Sequence, residues 1–198
     1  MTAVTQPDEI EMAFFGRACR GEHYSGDLAF IREQGPETFL SIFDAAGHGR
    51  SAHMVVLGIE KILRTSDVED VTTLVPELHE HLTGGPGGVV IAGNLNRESL
   101  EFRYVRIGDS HGRIFGPRNR SLQGQAGMLG NVIPTPEIHS ETLGRGDILV
   151  LCTDGISERF DLAQIPGNQT ISAEVLAHRI VDQFGKGHDD ATCLVVRC

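Results

Sequence analysis

The chain has no run of about 18 apolar residues, so no membrane-spanning helix is expected. Its start, Met1 to Glu11, is polar and acidic with no apolar stretch, so no secretory leader is expected. None of its four cysteines, Cys19, Cys152, Cys193 and Cys198, stands in a C-x-x-C pair. A zinc ribbon and a thioredoxin-like motif are therefore excluded. Cys152 and Cys193 lie inside apolar runs, where a free thiol packs as a small hydrophobe. That usage fits a reducing cytoplasm, which is the expected location. The glycine-rich stretch Gly84-Gly85-Pro86-Gly87-Gly88 is followed by no G-K-[ST] and leads into a strand, so it reads as a turn rather than a phosphate cradle. Positive charge is scarce: the net charge is -10 and the pI near 5.3, against general binding to nucleic acid or an anionic membrane. No internal repeat or low-complexity tract appears.

At 198 residues and 21.5 kDa, with 40% hydrophobic and 22% charged residues, the chain reads as a polar tail over 1–10 and one domain over 11–198. Strands are expected at 11–20, 27–32, 37–44, 88–95, 99–108, 112–116, 137–143, 147–153 and 191–197. Leu100, Phe102 and Tyr104 alternate with Glu101 and Arg103, and the pattern slips by one at Val105, which suggests a bulge. Helical spacing marks 50–64 and 70–82, and a third helix at 172–184 has Ser172 as its N-cap. About nine strands in sequential pairs and three helices predict packed antiparallel sheets with helices outside.

Aspartates punctuate those strands. Asp27 opens Leu28-Ala29-Phe30-Ile31, and Asp44 closes Phe39-Leu40-Ser41-Ile42-Phe43. Asp154 follows Ile148 to Thr153, and Asp189-Asp190 precede Ala191 to Val196. If neighbouring strands run antiparallel, the end of one lies beside the start of the next, and these carboxylates converge. Converging carboxylates repel one another and resist burial unless they protonate or a cation lies between them. An all-oxygen donor set suits hard cations such as Mg2+ or Mn2+. The leading reading is a two-metal hydrolytic site.

Five segments in order resemble the metal-dependent protein phosphatase (PPM) family, in its bacterial SpoIIE-type branch. They are Ser25-Gly26-Asp27, Asp44-Ala45-Ala46-Gly47-His48-Gly49, Ile107-Gly108-Asp109-Ser110, Thr153-Asp154-Gly155-Ile156-Ser157-Glu158 and Asp189-Asp190-Ala191-Thr192. The length is similar to that of stand-alone, RsbX-like stress-response phosphatases. The resemblance implies an α+β fold, a four-layer α/β/β/α sandwich of two mainly antiparallel sheets flanked by helices. It implies Asp27, Asp44, Asp154 and Asp189 as metal ligands, with the backbone carbonyl of Ala45. Two Mn2+ or Mg2+ ions are implied, and Asp109 would help hold a third; His111 stands where the family carries arginine. The implied activity is hydrolysis of phosphoserine or phosphothreonine on a regulatory protein, by a hydroxide shared between the metals. The implied partner is a phosphorylated stress-response or anti-sigma component of the STAS type.

His48 is a candidate either for protonating the leaving alkoxide, since histidine as a residue type exchanges protons near neutral pH, or for orienting a ligand carboxylate. Arg20 is a candidate contact for the substrate phosphate, and Arg50 at the helix start another. Asp190 and Thr192 are expected to steady the ligand loop. His53, His79, His81, His139 and His178 read as surface histidines. The irregular segments 124–136 and 156–170 are the candidate substrate-reading loops. No cysteine stands in a C-x5-R phosphatase motif. The alternatives are a small phosphate-ester hydrolase, a catalytically silent phosphoprotein-binding relative and a structural metal domain.

Overall fold

The structure is a computed structural model and describes residues 10–198; of the expected polar tail, all but Ile10 lies outside them. Two five-stranded antiparallel sheets stack face to face. One has the order β1 (Glu11–Arg17), β10 (Ala191–Arg197), β9 (Ile148–Cys152), β6 (His111–Phe115), β7 (Arg120–Ser121). The other has the order β2 (Asp27–Gln34), β3 (Glu37–Ala45), β4 (Gly88–Asn96), β5 (Glu101–Ile107), β8 (His139–Thr142). Helices α1 (Gly49–Thr65) and α2 (Val71–Leu82) cover the outer face of the second sheet, and α3 (Ala173–Phe184) that of the first. The four-layer sandwich expected above is the fold. Among the described residues, no helix is long and apolar enough to cross a membrane.

Strand periodicity assigns each side chain to a layer. On β3, Phe39, Phe43 and Ala45 face the helices, where Ile59 and Leu63 of α1 and Leu74 and Leu78 of α2 meet them. The residues between, Leu40 and Ile42, face the other sheet. Alternation along a strand then puts Asp44 between the sheets. The same parity holds on β2, where Ala29 and Ile31 face inward and Asp27 shares their side. On β9, Leu149 and Leu151 face inward and Thr153 follows them; on β10, Leu194 and Val196 do, and Thr192 precedes them. The outward set, Val150, Cys152, Cys193 and Val195, packs on Leu176 and Ile180 of α3. Burying both faces removes the polar alternation that usually marks an antiparallel strand.

This two-sided burial corrects one expectation. The register of β4 and β5 runs unbroken from Leu95–Phe102 to Val90–Ile107, so no bulge occurs at Val105. Phe102 and Tyr104 pack between the sheets, while Val105 and Ile107 pack under the helices. The slip in the pattern marks a strand passing from one buried face to two. Two short elements were also missed, β7 and a 3-10 turn at Leu162–Gln164, both too brief to carry a period. The first strand ends at Arg17, three residues short of the expected end. Ser172 does cap α3, its hydroxyl accepting from the Val175 N–H at 3.3 Å.

Candidate functional site

All the strand-end aspartates gather at one edge of the gap between the sheets. Asp27 and Asp44 are directly opposed in the β2–β3 register. The turn after β9 and the loop before β10 deliver Asp154 and Asp189 from the other sheet. Asp44, Ala45, His48, Asp109, Asp154 and Asp189 line one pocket of about 190 Å3, with Gly47, Gly88, Val89 and Met128. Asp27 lies outside that lining; it is buried and borders a separate pocket with Ser25 and Thr192. A wider groove of about 520 Å3 adjoins the pocket and shares Val89, Asp109 and Met128 with it. Residues 124–128 and Glu158 line this groove, so the two segments expected to read substrate do flank the acidic pocket.

The carboxylates interact strongly. Burial, and then the charges of Asp27, Asp154, Asp189 and Asp109, push the Asp44 carboxyl up to about 9. Burial raises Asp27 to about 7, opposed by the Thr153 hydroxyl and reinforced by the charge of Asp190. Burial followed by Asp189 and Asp109 raises Asp154 as well, while Lys186 opposes the rise. Among the described residues, no three His, Cys, Asp or Glu side chains form a ready-made metal cage. The donor chemistry nonetheless fits a hard divalent cation: every donor is oxygen, and the negative charge is held at a cost that a cation would remove.

Polar groups behind the aspartates fix their positions. The Thr153 hydroxyl donates to Asp27 Oδ2 at 2.8 Å and accepts from the Thr192 N–H at 3.0 Å, tying the two sheets together. Thr192 serves through this backbone N–H and also through its hydroxyl, which, like that of Thr153, opposes the rise at Asp27. Asp190 is buried and its two oxygens accept from the N–H groups of Cys19 (2.6 Å) and Gly26 (2.7 Å), which secures both ends of the loop entering β2. Gly155 packs so tightly on this segment that a Cβ there would lie 1.7 Å from the Asp190 carbonyl oxygen. Arg17 reaches from β1 to the carbonyls of Lys186 (2.8 Å) and Asp189 (3.2 Å), anchoring the loop that carries Asp189.

Other expected residues are placed differently. Arg20 is exposed and is not among the residues lining the pocket; its backbone N–H donates to the Gly187 carbonyl at 3.3 Å. Lys186 is the cation that the sequence reading overlooked. Its Nζ donates to the Asp154 carbonyl at 2.6 Å, and its charge bears on the Asp154 carboxyl. A lone lysine between Gly185 and Gly187, just before an aspartate pair, was the available signal. His53, His79 and His139 are half-buried rather than on the surface. His53 Nδ1 lies 3.0 Å from the Ser25 carbonyl, and His79 Nδ1 accepts from the Gly130 N–H at 3.1 Å. His111 is buried with neither ring nitrogen hydrogen-bonded; burial, then Arg106 and Arg113, lower it to about 4.

Comparison with known proteins bears on the fold and the family. The family model described as Stage II sporulation protein E (SpoIIE) matches residues 34–198. A structure of RsbX in complex with magnesium superposes with a TM-score of 0.82 at 19% identity, covering 99% of this chain and 98% of that one. A structure from work on the bacterial stressosome as a modular system controlling secondary messenger signalling gives a TM-score of 0.82 at 24% identity, covering 96% and 100%. The PP2C phosphatase domain of the Bacillus subtilis cell-fate determinant SpoIIE gives 0.74 at 19%, covering 96% and 63%. At these identities the superpositions speak for the fold, and the family match reaches from the end of β2 through β10. The chain belongs to the SpoIIE-type branch of the metal-dependent protein phosphatase (PPM) family.

Proposed function

We propose that this chain removes phosphate from phosphoserine or phosphothreonine on a regulatory protein, with Mn2+ or Mg2+ held by Asp27, Asp44, Asp154, Asp189 and the carbonyl of Ala45. Asp109 is exposed beside them and would serve a third ion. The observation that carries this reading is the convergence of oxygen donors that push one another away from ionisation. When bound, divalent cations there supply Lewis-acid charge for the phosphoryl oxygens and acidify water at neutral pH. The chain's own residues do the rest. Thr153 and Asp190 hold Asp27 and its loop in place. Lys186 offsets charge at the Asp154 side. His48, on the pocket wall, holds the proton for the leaving oxygen at Nε2.

Pocket size favours a protein substrate. About 190 Å3 is below the roughly 300 Å3 at which small-molecule sites begin, so the acidic pocket takes a phosphoryl group and the rest of the substrate lies outside it. The adjoining groove offers the room for residues flanking a phosphorylated side chain. A phosphorylated STAS-type regulator in the cytoplasm is the proposed partner, and the four free thiols suit that compartment. The test is Mn2+-dependent phosphate release from an aryl phosphate and from a phosphorylated STAS domain, in the native protein and in Asp44→Asn and Asp154→Asn. Release that is lost in both variants is expected. Metal binding without release would leave a phosphoprotein-binding module, and release from the aryl ester alone would leave a small-ester hydrolase.

A further inference from the structure

Resting on that phosphatase reading, we infer that Glu22 is a positioning residue for His48: its carboxylate holds the Nδ1 side of the imidazole, so that Nε2 serves the leaving serine or threonine oxygen. Glu22 Oε1 stands 3.3 Å from His48 Nδ1 at the mouth of the acidic pocket. That is longer than a well-formed charge-assisted bond, and such contacts tighten when substrate is in place.

Three features build the pair. The loop carrying Glu22 is tied at both ends by Asp190, and the Glu22 N–H closes a turn on the Cys19 carbonyl at 3.0 Å. The loop crown is thus held over the start of α1. Gly49 makes the room: it is buried, its φ is +73°, and a Cβ there would come within 2.8 Å of Glu22 Oε2. Finally, His48 occupies the N-cap position of α1 but makes no side-chain capping bond, which leaves its ring to Glu22 and the pocket.

The chemistry follows from the two ring nitrogens. A carboxylate at Nδ1 selects the tautomer with hydrogen there, so the proton that the protonated ring can pass to substrate is the one at Nε2. As the phosphorus–alkoxide bond breaks and the oxygen of water bonds to phosphorus, the Nε2 proton passes to the alkoxide. The products are the free hydroxyl and inorganic phosphate, and the neutral ring regains its proton from water. Glu22 also faces the first turn of α1, which carries no acidic residue of its own. Compensating the helix dipole would change stability, not the preference among leaving groups.

The test compares the native full chain, Glu22→Gln, His48→Gln and the double variant, loaded with Mn2+, on a phosphoserine peptide and on p-nitrophenyl phosphate. The aryl oxygen leaves without a proton and the alkyl oxygen needs one. The ratio of alkyl to aryl kcat should fall about tenfold or more in each single variant, and the double variant should be no worse than His48→Gln. An unchanged ratio, or losses that multiply in the double variant, would overturn the inference. A second readout needs no turnover: the imidazole nitrogen spectrum of His48, at a pH where the ring is neutral. Hydrogen at Nδ1 in the native protein and a mixture in Glu22→Gln supports the pairing, and identical spectra overturn it. If the native protein releases no phosphate from either ester, the phosphatase reading fails, while the spectrum still decides the pairing.

Discussion

Replacing Asp44 with asparagine should make the metal-free protein more stable while removing its response to metal. The carboxyl of Asp44 is raised from 3.8 to about 9, by burial first and then by four neighbouring aspartates. An acid whose folded value is raised favours folding fully only below its unfolded value, and that contribution is lost as pH climbs toward the folded value. For Asp44 the loss develops between about pH 4 and pH 9; for Asp27 it ends near pH 7. At about pH 7.5, a separation of nearly four units from 3.8 sets a ceiling of about 5 kcal/mol. Water entry and outward movement of the carboxylates relieve much of it, so a gain of about 1–3 kcal/mol is expected for Asp44→Asn. Urea denaturation in EDTA should show the variant's midpoint about 1 M higher at pH 7.5 and little changed at pH 5. Adding Mn2+ at about a hundred times its dissociation constant should stabilise the native protein by about 2.7 kcal/mol and the variant far less. A variant destabilised equally at both pH values in EDTA, or one that responds fully to Mn2+, would refute the argument.

Three further outcomes follow from the same geometry. Asp190→Ala strands two buried N–H groups, so denaturant stability should drop by about 2–4 kcal/mol, partly offset by relief at Asp27; no change would mean that residues 19–26 need no tie. Gly155→Ala forces a Cβ into the Asp190 carbonyl and should cost more than about 3 kcal/mol, seen as loss of cooperative unfolding by circular dichroism. Met128→Glu adds a carboxylate at the junction of pocket and groove, and should raise KM for a phosphoprotein at least about tenfold more than for an aryl phosphate; equal effects on both would remove the groove from substrate reading.

Much of the site was written in local patterns. An aspartate at the end of an apolar run is visible without a structure, and so is the run of glycines around His48. Helices α1 and α3 declared themselves by period, and β10 was read to its last residue. The two-sided burial of β5 was not legible, because a residue facing a helix layer and one facing another sheet look alike in sequence, and the change at Val105 therefore imitated a bulge. Lys186 carries no periodicity, and only the path of its loop brings it to Asp154.

By itself, the order of residues determined the elements and the inventory of carboxylates. Only the tertiary structure decided which of them meet. The N-terminal β1 pairs with the C-terminal β10, and β10 in turn with β9, contacts spanning up to the whole chain that no local pattern encodes. Those pairings place Asp154 and Asp189 opposite Asp27 and Asp44, set Thr153 within bonding distance of Asp27, and hang the loop of Glu22 from Asp190. Burial first, and then charge repulsion that falls off with distance, raise the pKa values that mark the site, so these shifts exist only once the two sheets have closed on each other.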